Sequence, residues 1–418
     1  MTGFLRKDGM LTVDGLDLES LAADWGTPVY IYSAAAIEER FRHFRDTVAP
    51  ATGKVHYAIK ANSNLAVLRL LARLGAGADI VSAGEMQRAL KAGFAAADIV
   101  FSGVGKTDTD ITAALAAGIG QINAESEAEV MRVIALAEST GQSCRLALRI
   151  NPDVAADTHA KISTGHGETK FGIPLEAIPG LYRRIAESGA VETGGLAVHI
   201  GSQIMDTAPF EHAWQVMRDL GDSLIADGFD VPVLDLGGGL GVDYATGAHA
   251  DAVALGQLVD RLFGNTSYHL GFEPGRYLTA EAGVLLTKVI ATKPAEGKVF
   301  TIVDGAMNDL IRPTLYEAFH RIEPVRETGA KAVMTDIVGP VCETGDYLGL
   351  GRMMPPTEAG DLLAVMSAGA YGAVMRSAYN TRPPAPEVMV IEGEAHAVSA
   401  RQTVDELLAL ETIPAVLG

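Results

Sequence analysis

The sequence predicts an α/β fold in which a (β/α)8 TIM-type barrel is joined to a second, mainly antiparallel β domain. From about residue 54 to residue 275, short apolar runs alternate with longer helical patterns, which is the rhythm of a closed parallel barrel. Past Gly275 the runs are β-rich and separated by Gly and Pro. We therefore predict a barrel domain over residues 34–275 and a β-sandwich or barrel-like domain over residues 1–33 and 276–418, which the length of 418 residues accommodates.

Eight apolar runs are the candidate barrel strands: Val55–Ile59, Ala78–Val81, Ile99–Ser102, Gln121–Ala124, Leu146–Ile150, Gly195–Ile200, Val233–Leu236 and His269–Phe272. Six intervening stretches carry apolar residues at helical spacing: Leu65–Leu74, Glu85–Ala92, Thr109–Ala117, Ser126–Ser139, Leu175–Ser188 and Pro209–Ala226. The segment His159–Gly172 is too polar for a core and predicts a long loop after the fifth strand.

The second domain is predicted from a different pattern, in which β-rich runs follow one another with few helix-length stretches. Its candidate strands are Val284–Thr292, Val299–Val303, Ala332–Val338, Leu362–Val365 and Glu387–Glu392. The N-terminal runs Leu11–Val13 and Val29–Tyr32 are further candidates for this domain.

Composition excludes several classes of function. The formal net charge of −19 argues against nucleic acid or an anionic membrane as a partner, because each requires a concentrated basic surface. The two cysteines, Cys144 and Cys342, are far apart, which predicts neither a disulfide framework nor a metal site. The N-terminus lacks the apolar core of a signal peptide, and no apolar run approaches the roughly 18 to 20 residues of a membrane span. We expect a cytoplasmic protein.

Residues of chemically useful types follow four of the predicted strands. Lys60 follows the first, His199–Gln203 the sixth, the glycine run Gly237–Gly241 the seventh, and Glu273–Arg276 the eighth. In a barrel of this kind the active site lies at the carboxyl ends of the strands, so these residues are predicted to share one site. A partly desolvated lysine there can lose its proton and attack a carbonyl, although most lysines are simply surface residues.

The glycine run predicts a phosphate site, because several backbone N–H groups before a helix allow a phosphate to approach closely. A tight turn is the alternative explanation. The dinucleotide pattern G-x-G-x-x-G does not fit, since Val242 or Tyr244 takes its last position. The segment Gly105–Thr107 does not complete a P-loop, because Val100 occupies the position of the first glycine.

Taken together, His56–Asn62, His199–Gln203, the glycine run and Glu273–Arg276 resemble the fold-type III pyridoxal-phosphate decarboxylases, which are alanine-racemase-like barrels. The resemblance extends over nearly the whole chain. Within that group, Asn308–Tyr316 and Gly339–Asp346 are similar to the signatures of the diaminopimelate decarboxylase family. The resemblance implies pyridoxal 5'-phosphate as cofactor and the conversion of meso-2,6-diaminopimelate to L-lysine and CO2.

The resemblance also implies roles for individual residues. Lys60 would form the internal Schiff base, Glu273 would pair with the pyridine nitrogen, and His199 would stack on the ring. A carboxylate at the pyridine nitrogen favours decarboxylation, whereas alanine racemases place an arginine there. The cofactor-binding set implied is Lys60, His199, Ser202, Gly238, Gly239, Glu273, Gly275, Arg276 and Tyr371. Asp79, Ser82 and Lys170–Gly172 would have supporting roles.

For the substrate, Arg276 and Arg312 offer a site for a second carboxylate. Lysine and ornithine end in an ammonium group, which two arginines would repel. Glu343 would take the distal ammonium group of the substrate, and Tyr316 and Tyr371 would add hydroxyl contacts.

Cys342 would be the acid that reprotonates the carbanion, because a thiol stays mostly protonated near neutral pH. Cys144 lies in an apolar strand and is interpreted as a buried, inert thiol. The family places the equivalents of Cys342 and Glu343 at the cofactor of the other subunit, which implies a head-to-tail homodimer with shared active sites. Two alternatives stay open: a related decarboxylase of lysine, ornithine or a carboxylated polyamine, and a cofactor-free barrel with a binding or regulatory role.

Overall fold

The structure is a computed structural model that describes residues 3–49, 53–153, 170–247 and 249–417. It contains two compact units. We call Arg40–Val242 with His249–Leu278 the barrel unit, and Met1–Glu39, Asp243–Ala248 and Thr279–Gly418 the β unit. Most of the predicted loop His159–Gly172 lies outside the described residues, which resume at Lys170.

Eight parallel strands form the closed sheet of the barrel unit. Each strand pairs with the next along the chain, and the eighth pairs with the first, so the sheet has no free edge in the described residues. The strands are Gly53–Ala58, Gly77–Ile80, Ile99–Phe101, Gln121–Ala124, Arg145–Asn151, Glu192–Ala197, Val233–Asp235 and His269–Phe272. A short strand, Ile173–Pro174, adds to the fifth. The prediction of an eight-stranded barrel is confirmed, with strand ends that differ by at most three residues.

The helices follow the strands, as the predicted alternation requires. Their bounds along the chain are Leu18–Trp25, Ala34–Thr47, Leu65–Arg73, Ala83–Ala92, Asp108–Ala117, Glu127–Thr140, Ile178–Ser188, Ala208–Ala226, Ala252–Phe263, Arg276–Thr279, Arg312–Tyr316 and Val404–Leu408. Single 3-10 turns lie at Ile59–Ala61, Ala96–Asp98, Leu175–Ala177, Ala373–Met375, Tyr379–Thr381 and Ala415–Leu417. The helical patterns had not predicted Ala34–Thr47 or Ala252–Phe263. Asp251 caps the start of the second of these helices, and its carboxylate accepts from the N–H groups of Val253 and Ala254.

The β unit is mainly antiparallel, as predicted. Its strands are Phe4–Lys7, Met10–Val13, Leu16–Asp17, Val29–Ser33, Gly283–Ala295, Lys298–Val303, Ile322–Pro324, Val333–Val338, Tyr347–Met354, Leu362–Val365, Glu387–Ile391 and Glu394–Ser399. The first three form a small sheet and the other nine a larger one. Two pairings in the larger sheet are parallel: Val29–Ser33 with Glu387–Ile391, and Lys298–Val303 with Val333–Val338. Buried side chains such as Ile31, Leu286 and Val388 form its core.

The described residues contain no helix that could span a membrane, no cluster of metal ligands and no disulfide. None of their helices is both long and apolar enough to cross a membrane. No group of three or more metal-ligating side chains is found among them. Cys144 and Cys342 are both free thiols, the first buried and the second exposed.

Candidate active site

Lys60 and Asp79 form an ion pair inside the barrel unit. The first strand ends at Ala58, so Lys60 lies in the following 3-10 turn rather than at the strand tip that the sequence predicts. Its Nζ is 2.9 Å from Oδ2 of Asp79, whose side chain is completely buried. Asp79 lies within the second strand, not after it. Ser82 has a local role, since its hydroxyl caps the helix Ala83–Ala92.

Glu273 follows the eighth strand and is held in its neutral form. Burial raises its pKa well above the usual value, and the nearby carboxylates of Asp235 and Asp79 raise it further, against the opposing effect of Lys60. The pKa of Asp235 is raised by burial too, and its side chain is hydrogen-bonded to that of Glu273. Two carboxyl groups in contact share a proton more readily than they carry two charges. Burial and mutual repulsion thus favour the protonated form of Glu273.

A polar chain supports Glu273 from neighbouring strands. Ser102 Oγ lies 3.3 Å from Oε1 of Glu273 and accepts from Nδ2 of Asn123 at 3.2 Å. Asn123 in turn accepts from Nε2 of Gln121 at 2.8 Å. These partners orient the carboxyl group, because each buried polar atom has a fixed donor or acceptor beside it.

His199 lies two residues beyond the sixth strand, which ends at Ala197. Its Nδ1 accepts from the backbone N–H of Gly238 at 3.3 Å. Burial lowers the pKa of His199 well below its usual value, and the nearby cations of Arg149 and Lys60 lower it further. The ring is thus neutral, and Gly238 fixes which nitrogen carries the proton.

The glycine run packs closely against the loops of two other strands. A Cβ on Gly238 would lie 2.1 Å from the carbonyl oxygen of Glu273, and one on Gly239 would lie 2.3 Å from that of Gly201. Gly239 also has a φ of +111°, which side chains disfavour. Close packing therefore requires glycine at positions 238 and 239, whatever their N–H groups bind.

Three further predicted residues lie at the same end of the barrel. Arg276 opens the turn after the eighth strand, and its Nη2 donates to Oγ of Ser202 at 3.1 Å. Gly275 lies beside Ala58 and Ala61, next to the turn that carries Lys60. The structure thus places the predicted cofactor-binding residues of the barrel unit at one end of the barrel, whereas Ser82 serves its own helix.

Glu125 and Arg149 were not singled out by the sequence. Arg149 donates to Oε1 of Glu125 at 2.7 Å and to the carbonyl oxygen of His199 at 3.2 Å. Glu125 also accepts from the N–H groups of Gly103 and Gly172, so it joins three loops. The sequence does contain a signal for residues of this kind. A charged residue inside a buried apolar strand, such as Arg149 or Asp235, rarely lacks a partner.

A cavity of about 360 Å³ opens among these residues, a size typical of small-molecule sites. Its lining includes Lys60, Ser102, Asn123, Arg149, Phe171, His199 and Glu273.

The β unit holds the remaining predicted residues, and Arg312 is the most enclosed of them. Arg312 begins a one-turn helix and is 6% exposed. Its Nε lies 3.2 Å from Nε2 of His320. The guanidinium carbon is 4.8 Å from the ring centre of Tyr244 and 5.8 Å from that of Tyr316. This aromatic setting suits a guanidinium that binds a carboxylate.

Cys342 and Glu343 lie in a loop with a buried anchor. The carboxylate of Asp346 accepts from the N–H groups of Met307 at 2.7 Å and Val341 at 2.6 Å, and holds the loop from inside. Cys342 and Glu343 are themselves exposed. Tyr371 has a φ of +54°, a strained value of the kind found at functional sites.

Comparison with known proteins identifies the class of enzyme to which this chain belongs. The family described as "Pyridoxal-dependent decarboxylase, pyridoxal binding domain" matches residues 34–280, and the chain belongs to this family of decarboxylases. Its full length is similar to diaminopimelate decarboxylases. The enzyme of Zymomonas mobilis is 46% identical over 98% of both chains, and that of Pseudomonas aeruginosa is 47% identical over 99% of both.

Solved structures show the same similarity to diaminopimelate decarboxylases. The diaminopimelate decarboxylase of Helicobacter pylori in complex with L-lysine superposes with a TM-score of 0.90 at 37% identity. The match covers 94% of this chain and 98% of that one.

Pyridoxal phosphate is the cofactor of this family, and the residues of the barrel unit fit it. A lysine amine, a neutral imidazole and a protonated carboxyl group line one cavity. Oδ1 of Asp79 is buried and has no hydrogen-bond partner in the described part of the chain, which marks a polar position suited to a ligand. Within the glycine run, the N–H groups of Gly237, Gly238 and Gly241 already donate to Asp235, His199 and Ile204.

Proposed function

We propose that this protein decarboxylates meso-2,6-diaminopimelate to L-lysine and CO2 with pyridoxal 5'-phosphate, in the cytoplasm, as the last step of lysine biosynthesis. One observation carries the chemistry: the cavity of the barrel unit is lined by both Lys60, paired with Asp79, and the neutral Glu273. The similarity to diaminopimelate decarboxylases over nearly the whole length supports the substrate. The two free thiols fit a reducing compartment.

Lys60 holds the cofactor through its amine. When bound, pyridoxal phosphate supplies the electron sink for the electron pair left behind by CO2. The buried partner Asp79 orients the amine of Lys60 within the cavity, since a short ion pair restricts a flexible side chain.

Glu273 provides the proton that the pyridine nitrogen requires. Burial and two neighbouring carboxylates disfavour the anion of Glu273 and raise its pKa. The hydroxyl of Ser102 donates to Oε1, which leaves the other carboxyl oxygen to carry the proton. A protonated nitrogen strengthens the electron sink, which favours decarboxylation.

His199 and the loops of strands six to eight bind the rest of the cofactor. The neutral ring of His199 would stack on the cofactor ring and would add no charge there. Gly239, Gly275 and Ser202 would offer hydrogen-bond donors to the phosphate, and Gly238, whose N–H donates to His199, would allow its close approach. Arg276 is tied to Ser202 and contributes a cation to the phosphate or the substrate.

Residues of the β unit recognise the substrate. Arg312 binds the carboxylate at the end that is not decarboxylated, Glu343 takes the ammonium group there, and Tyr316 and Tyr371 add hydroxyl contacts. The thiol of Cys342 donates a proton from Sγ to the carbon that has lost CO2. Exposure of Cys342 and Glu343 supports a homodimer in which each subunit supplies these two residues to its partner's site.

The first experiment measures CO2 release from meso-diaminopimelate, L-lysine and L-ornithine, each with and without added pyridoxal phosphate. We expect cofactor-dependent release from diaminopimelate alone. Release only from lysine or ornithine would favour the related decarboxylases, and silence on all three, without a cofactor absorbance band, would favour a regulatory barrel.

The shared site is tested by mixing two inactive variants. Lys60→Ala and Cys342→Ala subunits, unfolded together and refolded, should form hybrid dimers with one intact site, and about a quarter of wild-type activity should return. Activity no higher than that of the separate variants would place Lys60 and Cys342 of one site in the same subunit.

A further inference from the structure

We infer that His320 is a positioning residue that fixes the guanidinium of Arg312 and thereby sets the preference for amino acids with a second carboxylate. The inference rests on the proposed role of Arg312 in substrate binding. His320 is completely buried, and it lies in the segment between the helix Arg312–Tyr316 and the strand Ile322–Pro324. No step of the proposed chemistry uses it directly.

Two neighbours fix the hydrogen positions on His320. Its Nδ1 lies 2.9 Å from the carbonyl oxygen of Met366, which can only accept, so Nδ1 carries the proton. Its Nε2 lies 3.2 Å from Nε of Arg312, which can only donate, so Nε2 is the acceptor. The ring is therefore a neutral acceptor toward Arg312 and is anchored on its other side by the backbone.

Aromatic rings also pack against Arg312 and His320. The ring of Tyr244 lies 4.8 Å from that of His320, at 69°, and also contacts the guanidinium. The backbone of Arg321 links the surrounding segments, because its N–H donates to the carbonyl of Tyr244 and its carbonyl accepts from the N–H of Met366. The partners of the Arg312 side chain are thus connected through main-chain hydrogen bonds.

This arrangement determines which edge of Arg312 meets a ligand. His320 takes the Nε–H, so a carboxylate approaches the terminal edge formed by Nη1 and Nη2. Holding a long side chain in one rotamer before the substrate arrives lowers the ordering cost of binding. Without the acceptor on His320, the buried Nε–H loses this partner and the guanidinium loses its fixed orientation.

The test compares two variants of similar polarity. In His320→Gln, the amide oxygen reaches the position of Nε2 and can accept from Arg312. In His320→Asn, the shorter amide reaches only the position of Nδ1 and can donate to Met366. His396→Asn, at an exposed histidine of the same unit, is the control for general effects of the substitution.

We expect His320→Asn to raise KM for meso-diaminopimelate on the order of tenfold, with kcat changed less than threefold, since a hydrogen bond to a charged group is lost. L-Lysine keeps the carboxylate that Arg312 binds, whereas cadaverine lacks it. The inhibition constant of L-lysine should therefore rise about as much as KM, and that of cadaverine should stay unchanged. His320→Gln and His396→Asn should resemble the wild type in all four constants.

The outcomes separate this inference from the proposed function. A wild-type protein that does not decarboxylate diaminopimelate removes the proposed function itself. An active wild type with equal losses in His320→Asn and His320→Gln, or with parallel changes for L-lysine and cadaverine, overturns the positioning role. Unchanged constants in His320→Asn overturn it as well.

Discussion

Nζ of Lys60 lies 2.9 Å from Oδ2 of Asp79, and this ion pair links the first and second strands at the cavity of the barrel. The two partners differ in exposure, because the side chain of Lys60 is 36% exposed and that of Asp79 is fully buried. Asp79 also raises the pKa of Glu273, which Lys60 opposes. Lys60 and Glu273, which we propose to hold the cofactor and to protonate it, are therefore electrostatically connected.

Lys60→Ala should abolish covalent attachment of pyridoxal phosphate, because no other amine lines the cavity in the described residues. The measurement is mass spectrometry after borohydride reduction. Lys54→Ala, on the strand that precedes Lys60 and in an ion pair with Asp98, is the control and should be labelled like the wild type. Unchanged labelling of the Lys60 variant would contradict the assignment.

Glu273→Gln should alter how stability depends on pH. The native pKa of Glu273 lies above the ordinary 4.5, so the folded protein keeps a proton that the unfolded chain releases. The stability contributed by this proton is complete below pH 4.5 and is lost as pH rises through the native pKa. We therefore expect the free energy of unfolding, measured in urea on cofactor-stripped protein, to fall more with rising pH in the wild type than in the variant.

The control for this measurement is Glu192→Gln, at an exposed carboxylate. It should follow the wild-type pH dependence. Parallel curves for wild type and Glu273→Gln would show that Glu273 is ionised in the folded protein at neutral pH.

Cys342→Ala should keep the cofactor absorbance but lower kcat on the order of 10²-fold, because a positioned acid is removed. Cys144→Ala is the matched control. Burial raises the pKa of the Cys144 thiol to about 12, so that thiol is inert, and its loss should leave kcat unchanged. Normal turnover by Cys342→Ala would remove this cysteine from the mechanism.

Gly238→Ala should weaken cofactor binding at least tenfold, because the new methyl group would lie 2.1 Å from the carbonyl oxygen of Glu273. Gly105→Ala, at a glycine that lines the cavity of the barrel unit, is the control, since nothing lies within 4 Å of its Cβ position. Fluorescence titration with pyridoxal phosphate gives both affinities. Equal affinities would mean that the glycine run adjusts without strain.

The sequence predicted the barrel because its strands are short, apolar and regularly spaced, and that pattern depends on local properties of the chain. It predicted Lys60, His199 and Glu273 because residues at strand ends meet at one side of a barrel. It could not distinguish a phosphate site from a tight turn at the glycine run. The close contacts of Gly238 and Gly239 with other loops show that the backbone itself requires these glycines, whatever they bind.

The division at residues 34 and 275 stays a prediction, as do the individual site roles. Helix Ala252–Phe263 was missed although its buried residues Leu255, Leu258, Val259 and Leu262 recur at helical spacing and Asp251 caps it. The supporting residues Glu125 and Arg149 were missed for another reason. Their importance comes from hydrogen bonds to segments far away in sequence, such as Gly172 and His199.

The sequence alone determined the fold class, the family and the types of residue available for chemistry. Tertiary structure decided the charge states, because the neutral form of Glu273 depends on burial beside Asp235 and Asp79. It likewise decided which nitrogen of His320 faces Arg312. Residue type follows from the sequence at each position, whereas protonation and orientation depend on the distances and burial that arise when remote segments pack together.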